Sequence, residues 1–244
     1  MFPIRDHNPS SGLPWVTLTL IAVNVVVFFA TMPLMETPGT AAAFLERYAV
    51  VPAISAPLSY VTSQFLHGGL LHLAGNMWFL WLYGDNLEDE MGPLPFLGFY
   101  LLSGVVAAIA QTLSAPGSTI PMVGASGAIA GVMGGYLLLF PKARIDILVI
   151  FVIFFRIFPI PAWIVLGIWF AIQILSGAAM PADMGGVAYW AHAGGFLGGL
   201  VLTLPLWWRR GGTRFWNATQ GHPPHPEARY GTRRSPIPKV GRRR

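Results

Sequence analysis

The chain has 244 residues, of which 54% are hydrophobic and 10% are charged, and its formal net charge is +5. Soluble domains carry about 25% charged residues, so this composition excludes a water-soluble globule and indicates a membrane protein. No cysteine is present, which excludes a disulfide framework, a thiolate zinc site and a cysteine nucleophile.

Six apolar runs are predicted to be membrane-spanning helices, because a span needs about 20 mostly apolar residues. The first is too long for the core of a signal peptide, and no small-residue cleavage site follows it. The segment from Ile145 to Pro161 is apolar but interrupted by Arg156. We predict it to be an extended end of the fourth span plus an interfacial connection, with a seventh span as the alternative. The six runs lie at roughly 15–32, 70–87, 94–113, 126–140, 162–177 and 188–208.

The distribution of Lys and Arg predicts the orientation of these spans. The loops after spans three and five carry neither residue, whereas the N-terminus, the loop after span four and the C-terminal tail do. Six spans then place both termini in the cytoplasm, with the acidic loop GDNLEDEMG after span two on the same side. The predicted domains are a cytoplasmic N-terminal segment (1–14), a six-span domain (15–208) and a basic tail (209–244). The tail is rich in Pro and Gly and has no aromatic platform, so we expect it to be disordered and to bind no nucleic acid.

Ionisable and amide side chains within spans are costly, and they mark function or internal packing. His72 and Asn76 lie one turn apart on one helical face. Spans two, four and six cross the membrane in the same direction. At about 1.5 Å per residue, His72, Ser126 and His192 should therefore share one layer near the outer surface. We expect His67, just outside a span, to be structural or interfacial.

Two further amides, Asn24 and Gln173, are predicted to form hydrogen bonds between helices. Glycines recur at four-residue spacing in spans four and six, and such ridges let helices pack backbone to backbone. If the two ridges face each other, Ser126 and His192 come within hydrogen-bond reach. The glycines expected to support this packing are Gly124, Gly127, Gly131, Gly135, Gly195 and Gly199.

A serine beside a histidine, with extra donors nearby, suits acyl transfer, because the histidine accepts the hydroxyl proton as general base. Asn76, His72 and the Ser126 N–H would stabilise the oxyanion. No Asp or Glu lies in the apolar part of a span near this layer, so the prediction is a Ser–His dyad. The G-x-S-G motif alone is weak, and it is not the G-x-S-x-G nucleophile elbow. No H-E-x-x-H motif is present, and we expect neither a metal nor a cofactor.

Four motifs follow one another along the chain: FLHGGLLHLAGNMWFLWLYGDNLEDEMG (65–92), FLGFYLLSG (96–104), GASGAIAG (124–131) and AHAGGFLGG (191–199). In this order they resemble the rhomboid intramembrane serine proteases, most closely the bacterial six-span members, over about residues 1–210. The resemblance implies an all-α bundle of six transmembrane helices with an interfacial first loop. It also implies that Ser126 is the nucleophile and His192 the general base, with His72 and Asn76 in the oxyanion hole.

The same resemblance implies that the partners are a lipid bilayer and membrane proteins cleaved in or near a spanning helix, and that the location is the bacterial cytoplasmic membrane. The chain departs from the family pattern at two places. Leu58-Ser59 stands where many members carry Trp-Arg, and Ala130 stands where many carry a bulky aromatic that packs against the histidine.

Two other functions are considered. A catalytically silent relative would bind client helices, but such relatives typically lack the serine or the histidine, and both are present here. A small-solute transporter should show paired broken helices in two related halves, and the chain has no internal repeat.

Overall fold

The computed structural model describes residues 2–8, 10–54, 56–151, 154–180 and 185–224, and these residues are mostly helical. They form nine α-helices and three strands, with 3-10 turns at Met32–Met35 and Ser63–Phe65. The strands are β1 (Phe2–Asp6), β2 (Arg144–Phe151) and β3 (Phe154–Pro161). The helices are α1 (Trp15–Thr31), α2 (Pro38–Tyr48), α3 (Ser59–Thr62), α4 (Leu70–Met91), α5 (Pro93–Ser114), α6 (Ser126–Leu139), α7 (Ala162–Ala179), α8 (Tyr189–Arg209) and α9 (Thr213–Thr219).

Six long helices, α1 and α4 to α8, occupy the six apolar runs. Among the described residues, three stretches are long and apolar enough by themselves to cross a bilayer: Trp15–Met35, Pro93–Ser114 and Ala162–Ala179. Helix α6 is apolar but has 14 residues, which gives a length of about 21 Å against a hydrocarbon core of about 30 Å. The helices therefore lie where the sequence predicts them, and the six-span topology remains a prediction.

Helix α6 lies at the centre of the bundle and is buried along nearly its whole length. Helices α4, α5 and α8 pack around it. Helix α1 buries Thr17, Leu20 and Asn24 from its 17 residues, and α7 is similarly exposed. Because the remaining faces of α1 and α7 are apolar, they are suited to contact with lipid.

The segment from Ile145 to Pro161 forms most of the β2–β3 hairpin, so the predictions of an extended fourth span and of a helical seventh span are wrong. Helix α6 ends at Leu139, and β2 pairs antiparallel with β1 on one side and with β3 on the other. Ile145 and Ile147 are both buried, and β-branched side chains of this kind are enriched in strands. The fold is thus helical with one small sheet, and the description all-α was too narrow.

The N-terminal segment is tied to β2 by charged groups. Arg5 Nε and His7 Nε2 each lie 2.7 Å from a different carboxylate oxygen of Asp146. Burial raises the pKa of Asp146, but the hydrogen bonds and positive charge of Arg5 and His7 outweigh it, so this pKa lies below its ordinary value. Asp6, which lies between Arg5 and His7 in the chain, accepts a hydrogen bond of 2.7 Å from Asn86 Nδ2 of α4.

Helix α4 continues through the acidic stretch that the sequence places in a loop. Glu88 is buried in this last part of α4. Its carboxylate accepts hydrogen bonds of 2.8 Å from the backbone N–H groups of Val16 and Thr17, and one of 2.9 Å from the Thr17 hydroxyl. The first N–H groups of a helix have no partner within the helix, and they attract negative charge. Glu88 therefore caps α1 from a neighbouring helix, which explains why an acidic residue is accommodated there.

Helix α9 packs against the end of α6. The Phe215 side chain is buried, and Trp216 Nε1 donates a hydrogen bond of 2.8 Å to the carbonyl of Leu138. The prediction of a disordered tail is therefore wrong for residues 211–224, because aromatic side chains supply the apolar surface that the Pro and Gly content obscured. Residues 225–244, the rest of the predicted tail, lie outside the described residues.

Candidate active site

Ser126 and His192 lie side by side. Ser126 is the first residue of α6, and His192 lies one turn into α8. Ser126 Oγ is 2.8 Å from His192 Nε2, a distance typical of a hydrogen bond from a hydroxyl. Both side chains are half-buried, so the pair is reachable from one side and shielded on the other.

These two side chains line a cavity of about 790 Å³, which is within the usual range for ligand pockets. Among the described residues, no group of three or more His, Asp or Glu side chains is placed to hold a metal ion. The cavity wall also contains His72, Asn76 and residues 120–124 and 185–191.

Glycine contacts set the distance between α6 and α8. A Cβ atom added to Gly195 would collide with the carbonyl oxygen of Gly127, and one added to Gly199 would collide with that of Gly131. Gly134, which the sequence analysis did not single out, meets the Phe196 carbonyl in the same way. The two helices therefore approach backbone to backbone, and this approach brings His192 to Ser126.

The predicted oxyanion donors lie over the backbone just before Ser126. A Cβ atom added to Gly124 would be 2.8 Å from His72 Nε2 and 3.6 Å from Asn76 Nδ2. Gly124 has a φ of +130°, which a residue with a side chain rarely adopts. Its N–H donates a hydrogen bond of 2.9 Å to the Ser63 carbonyl, which fixes the loop. The structure thus brings His72 and Asn76 to the same region as the Ser126 N–H.

His67 contacts the Asn76 side chain. Asn76 Nδ2 lies 2.9 Å from His67 Nε2, and both residues are buried. Burial, and secondarily the nearby His72, lower the pKa of His67 to about 4. A neutral His67 can accept one hydrogen from the Asn76 amide and leave the second free to point elsewhere. His67 is therefore a structural partner of Asn76.

Helix α7 supplies two contacts to His192 that the sequence analysis did not connect with the site. The predicted interhelical hydrogen bond of Gln173 is present, and its partner is His192: Gln173 Oε1 lies 2.8 Å from His192 Nδ1. The Trp169 ring lies 5.8 Å from the imidazole, centroid to centroid. Trp169 and Gln173 are four residues apart, a spacing that puts them on one helical face and that could have signalled a shared target. Asn24 donates to the Leu20 carbonyl of its own helix, and its side chain also interacts with Tyr100 of α5, which is a contact between helices.

The structure shows what surrounds Ala130 and Leu58-Ser59, the two places where the chain departs from the family pattern. Ala130 is fully buried in α6, and the aromatic ring beside the imidazole comes from Trp169 instead. In the first loop Leu58 is 66% exposed. Ser59 is buried, and its hydroxyl donates a hydrogen bond of 2.7 Å to the Ala56 carbonyl.

The model of the Rhomboid domain family matches residues 55–209 of this chain. The chain belongs to the rhomboid family. The match runs from the loop before α3 to the end of α8, so it includes every residue of the candidate site. With its helices of spanning length, this rhomboid-family chain is an integral membrane protein.

Named relatives extend the comparison. The chain is 30% identical over 190 residues to Rhomboid protein 1, mitochondrial, of Saccharomyces cerevisiae, covering 75% of this chain and 50% of the relative. It is 31% identical over 145 residues to the human Presenilin-associated rhomboid-like protein, mitochondrial (58% and 37% covered). It is 34% identical over 133 residues to Rhomboid protease GluP of Bacillus subtilis (52% and 25%). The chain thus spans half or less of the length of these relatives.

Proposed function

We propose that this rhomboid-family chain is a serine endopeptidase that cleaves membrane proteins in or near a transmembrane helix. The observation that carries the proposal is the 2.8 Å distance between Ser126 Oγ and His192 Nε2. The cavity around this pair also holds the side chains of His72 and Asn76. Family membership supports it, and one relative has the word protease in its name.

In the proposed first step, Ser126 Oγ attacks the scissile carbonyl carbon while His192 Nε2 takes the hydroxyl proton. The tetrahedral intermediate then collapses. Its C–N bond breaks as His192 returns the proton to the leaving nitrogen, and an ester to Ser126 remains. In the second step a water molecule gives a proton to His192 and attacks the ester carbonyl. The ester bond breaks, the acid product leaves, and Ser126 regains its proton.

Both steps place negative charge on the former carbonyl oxygen. The proposed donors are the amide of Asn76, the imidazole of His72 and the N–H of Ser126, which opens α6 and so has no partner within the helix. A donor of this kind contributes about 3–4 kcal/mol to the transition state where it has been measured.

The proposed substrates follow from the same geometry. A peptide group in an intact helix has its carbonyl hydrogen-bonded along the chain, so the cleaved segment must unwind locally before Ser126 can reach it. The proposal retains six spans, an interfacial first loop and cytoplasmic termini. The mitochondrial relatives weigh against the bacterial cytoplasmic membrane, and GluP weighs for it. The proposal therefore specifies a lipid bilayer as partner and no particular organelle.

Cleavage of a model single-span protein in liposomes tests the proposal. Ser126→Ala and His192→Ala should each abolish cleavage, and the double variant should be no worse, because residues that act as a unit fail together. Ser11→Ala removes an exposed hydroxyl near the N-terminus and should cleave at the wild-type rate. Substantial cleavage by Ser126→Ala would refute the assignment. Substrate binding without cleavage by the wild-type chain would favour the catalytically silent relative.

A further inference from the structure

One face of helix α7 holds the imidazole of His192. Gln173 Oε1 lies 2.8 Å from Nδ1, on the opposite side of the ring from Ser126. The ring of Trp169 lies beside the imidazole at an angle of 32°. Gln173 is 6% exposed, so this hydrogen bond is shielded from competition with solvent. Ala130 of α6, which stands where many rhomboids have an aromatic residue, has only a methyl side chain, so the aromatic ring beside His192 is that of Trp169.

The orientation of the Gln173 amide is set by a second contact. Gln173 Nε2 donates a hydrogen bond of 3.2 Å to the carbonyl of Trp169, one turn earlier in α7. The amide oxygen, which can only accept, therefore faces His192. A neutral imidazole carries one N–H, so the proton must lie on Nδ1 and the lone pair on Nε2, facing the Ser126 hydroxyl.

We propose that Gln173 is a positioning residue for the reaction of Ser126: it accepts the Nδ1–H of His192 and keeps the basic Nε2 directed at Ser126 Oγ. This inference rests on the proposed peptidase function and adds a third member to the predicted dyad. Gln173 acts through His192, because it does not itself line the cavity.

Because Gln173 lies on α7, the position of this helix affects the orientation of the His192 imidazole. Only Ala162, Leu166, Gln173 and Gly177 are buried in this helix of 18 residues. Gly177 and Met180 line the cavity, so the end of α7 and the residue after it form part of its wall. A movement of α7 away from α8 would therefore have two effects at once: it would widen the cavity, and it would break the hydrogen bond between Gln173 and His192.

Three variants of the full chain in detergent test this role: Gln173→Leu, Gln173→Glu and the matched control Asn24→Leu. Asn24→Leu removes a buried amide that does not line the cavity. Two quantities are measured: the second-order rate of labelling by a fluorophosphonate between pH 5 and 9, and kcat and KM for a single-span substrate. The ¹⁵N chemical shifts of His192, assigned with His192→Ala, report its tautomer without any need for activity.

Gln173→Leu should lower the labelling rate and kcat about tenfold to a hundredfold, leave KM within about twofold, and give a mixture of tautomers. Gln173→Glu keeps the acceptor and adds a negative charge that stabilises the imidazolium. It should restore most of the rate at pH 8 to 9 and shift the acidic limb of the profile to higher pH. Asn24→Leu should match the wild type. The ionisable side chains of His72 and Tyr189 also line the cavity, and they are the same in every variant.

Wild-type labelling rates and an unchanged ¹⁵N pattern in Gln173→Leu would overturn the positioning role while leaving the peptidase proposal intact. Equal losses in Gln173→Leu and Gln173→Glu, with no shift of the pH profile, would also overturn it, because they would indicate a general packing defect. Absence of labelling in the wild-type chain would instead refute the proposed function, and this inference with it.

Discussion

Replacing Gly195 with Ala should separate α8 from α6 and reduce activity about a hundredfold. The added Cβ would collide with the Gly127 carbonyl oxygen, and it would lie 3.0 Å from the Gly127 carbonyl carbon and 3.2 Å from Ala107 Cβ. Carbon atoms pack best about 3.5–4.0 Å apart, so the helices must separate by about 0.5–1 Å. His192 lies one turn away, and its 2.8 Å hydrogen bond to Ser126 would stretch beyond effective range. A misplacement near 1 Å costs about a hundredfold in rate.

Fluorophosphonate labelling rates and cleavage of a single-span substrate measure this loss, with thermal unfolding in detergent as the test of folding. Gly167→Ala in α7 is the matched control, because a Cβ there meets nothing within 4 Å. Both substitutions improve helix propensity by about 1 kcal/mol, so propensity cannot explain a difference between them. Wild-type rates in Gly195→Ala would refute the conclusion that close backbone packing positions His192.

Three further results are expected. Asn76→Ala should lower kcat per folded molecule about tenfold to a thousandfold, because one oxyanion donor is lost and others remain. An unchanged kcat with lowered thermal stability would show that Asn76 is a packing residue. Burial and the Asp85 carboxylate raise the pKa of Asp6 from 3.8 to about 8. Between these two pH values the folded chain keeps a proton on Asp6 that the unfolded chain releases. The free energy of unfolding therefore falls as pH rises from 3.8 to 8. Relative to wild type, Asp6→Asn should therefore gain up to about 6 kcal/mol of unfolding free energy between pH 4 and 9 in denaturant titrations. No gain would refute the raised pKa. Truncation after Arg210 removes α9 and should lower the unfolding temperature in detergent by several degrees. Trp216→Ala should do the same, because it loses the hydrogen bond to the Leu138 carbonyl. Unfolding temperatures equal to that of the wild type would refute a stabilising role of α9.

Much of the helical framework could be predicted from the sequence, because apolar runs of spanning length have few alternatives in a bilayer. The convergence of Ser126 and His192 was predicted from two premises: that alternate spans cross in the same direction, and that glycines at four-residue spacing permit close packing. The four-residue spacing of the glycines is visible in the sequence itself. In the structure Ser126 Oγ and His192 Nε2 lie 2.8 Å apart.

The sheet and the C-terminal helix could not be predicted by the same reasoning. In Ile145–Pro161 an apolar run of this length fits a span as well as it fits a hairpin. What decides is the partner strand β1, more than a hundred residues earlier in the chain. Helix α9 was hidden by the Pro and Gly content of the tail, because its stability comes from Phe215 and Trp216 packing on distant helices.

The contact of Gln173 with His192 was missed for a different reason. A single amide in an apolar helix predicts an interhelical hydrogen bond but does not name the partner. The partner depends on how α7 is rotated about its axis, and tertiary packing sets that rotation. Glu88 illustrates the same limit, since its role as a cap of α1 depends on where a neighbouring helix begins.

Mapping the site of a fluorophosphonate adduct by mass spectrometry tests the central claim most directly. Ser126 is one of several serines in the chain, and only a serine activated by a neighbouring base should react rapidly with this reagent. The expected result is a single adduct on Ser126 in the wild-type chain in detergent, reduced to background in His192→Ala at the same protein concentration. An adduct on a different serine, or equal labelling of Ser126 in His192→Ala, would contradict the assignment of Ser126 as nucleophile and His192 as its base.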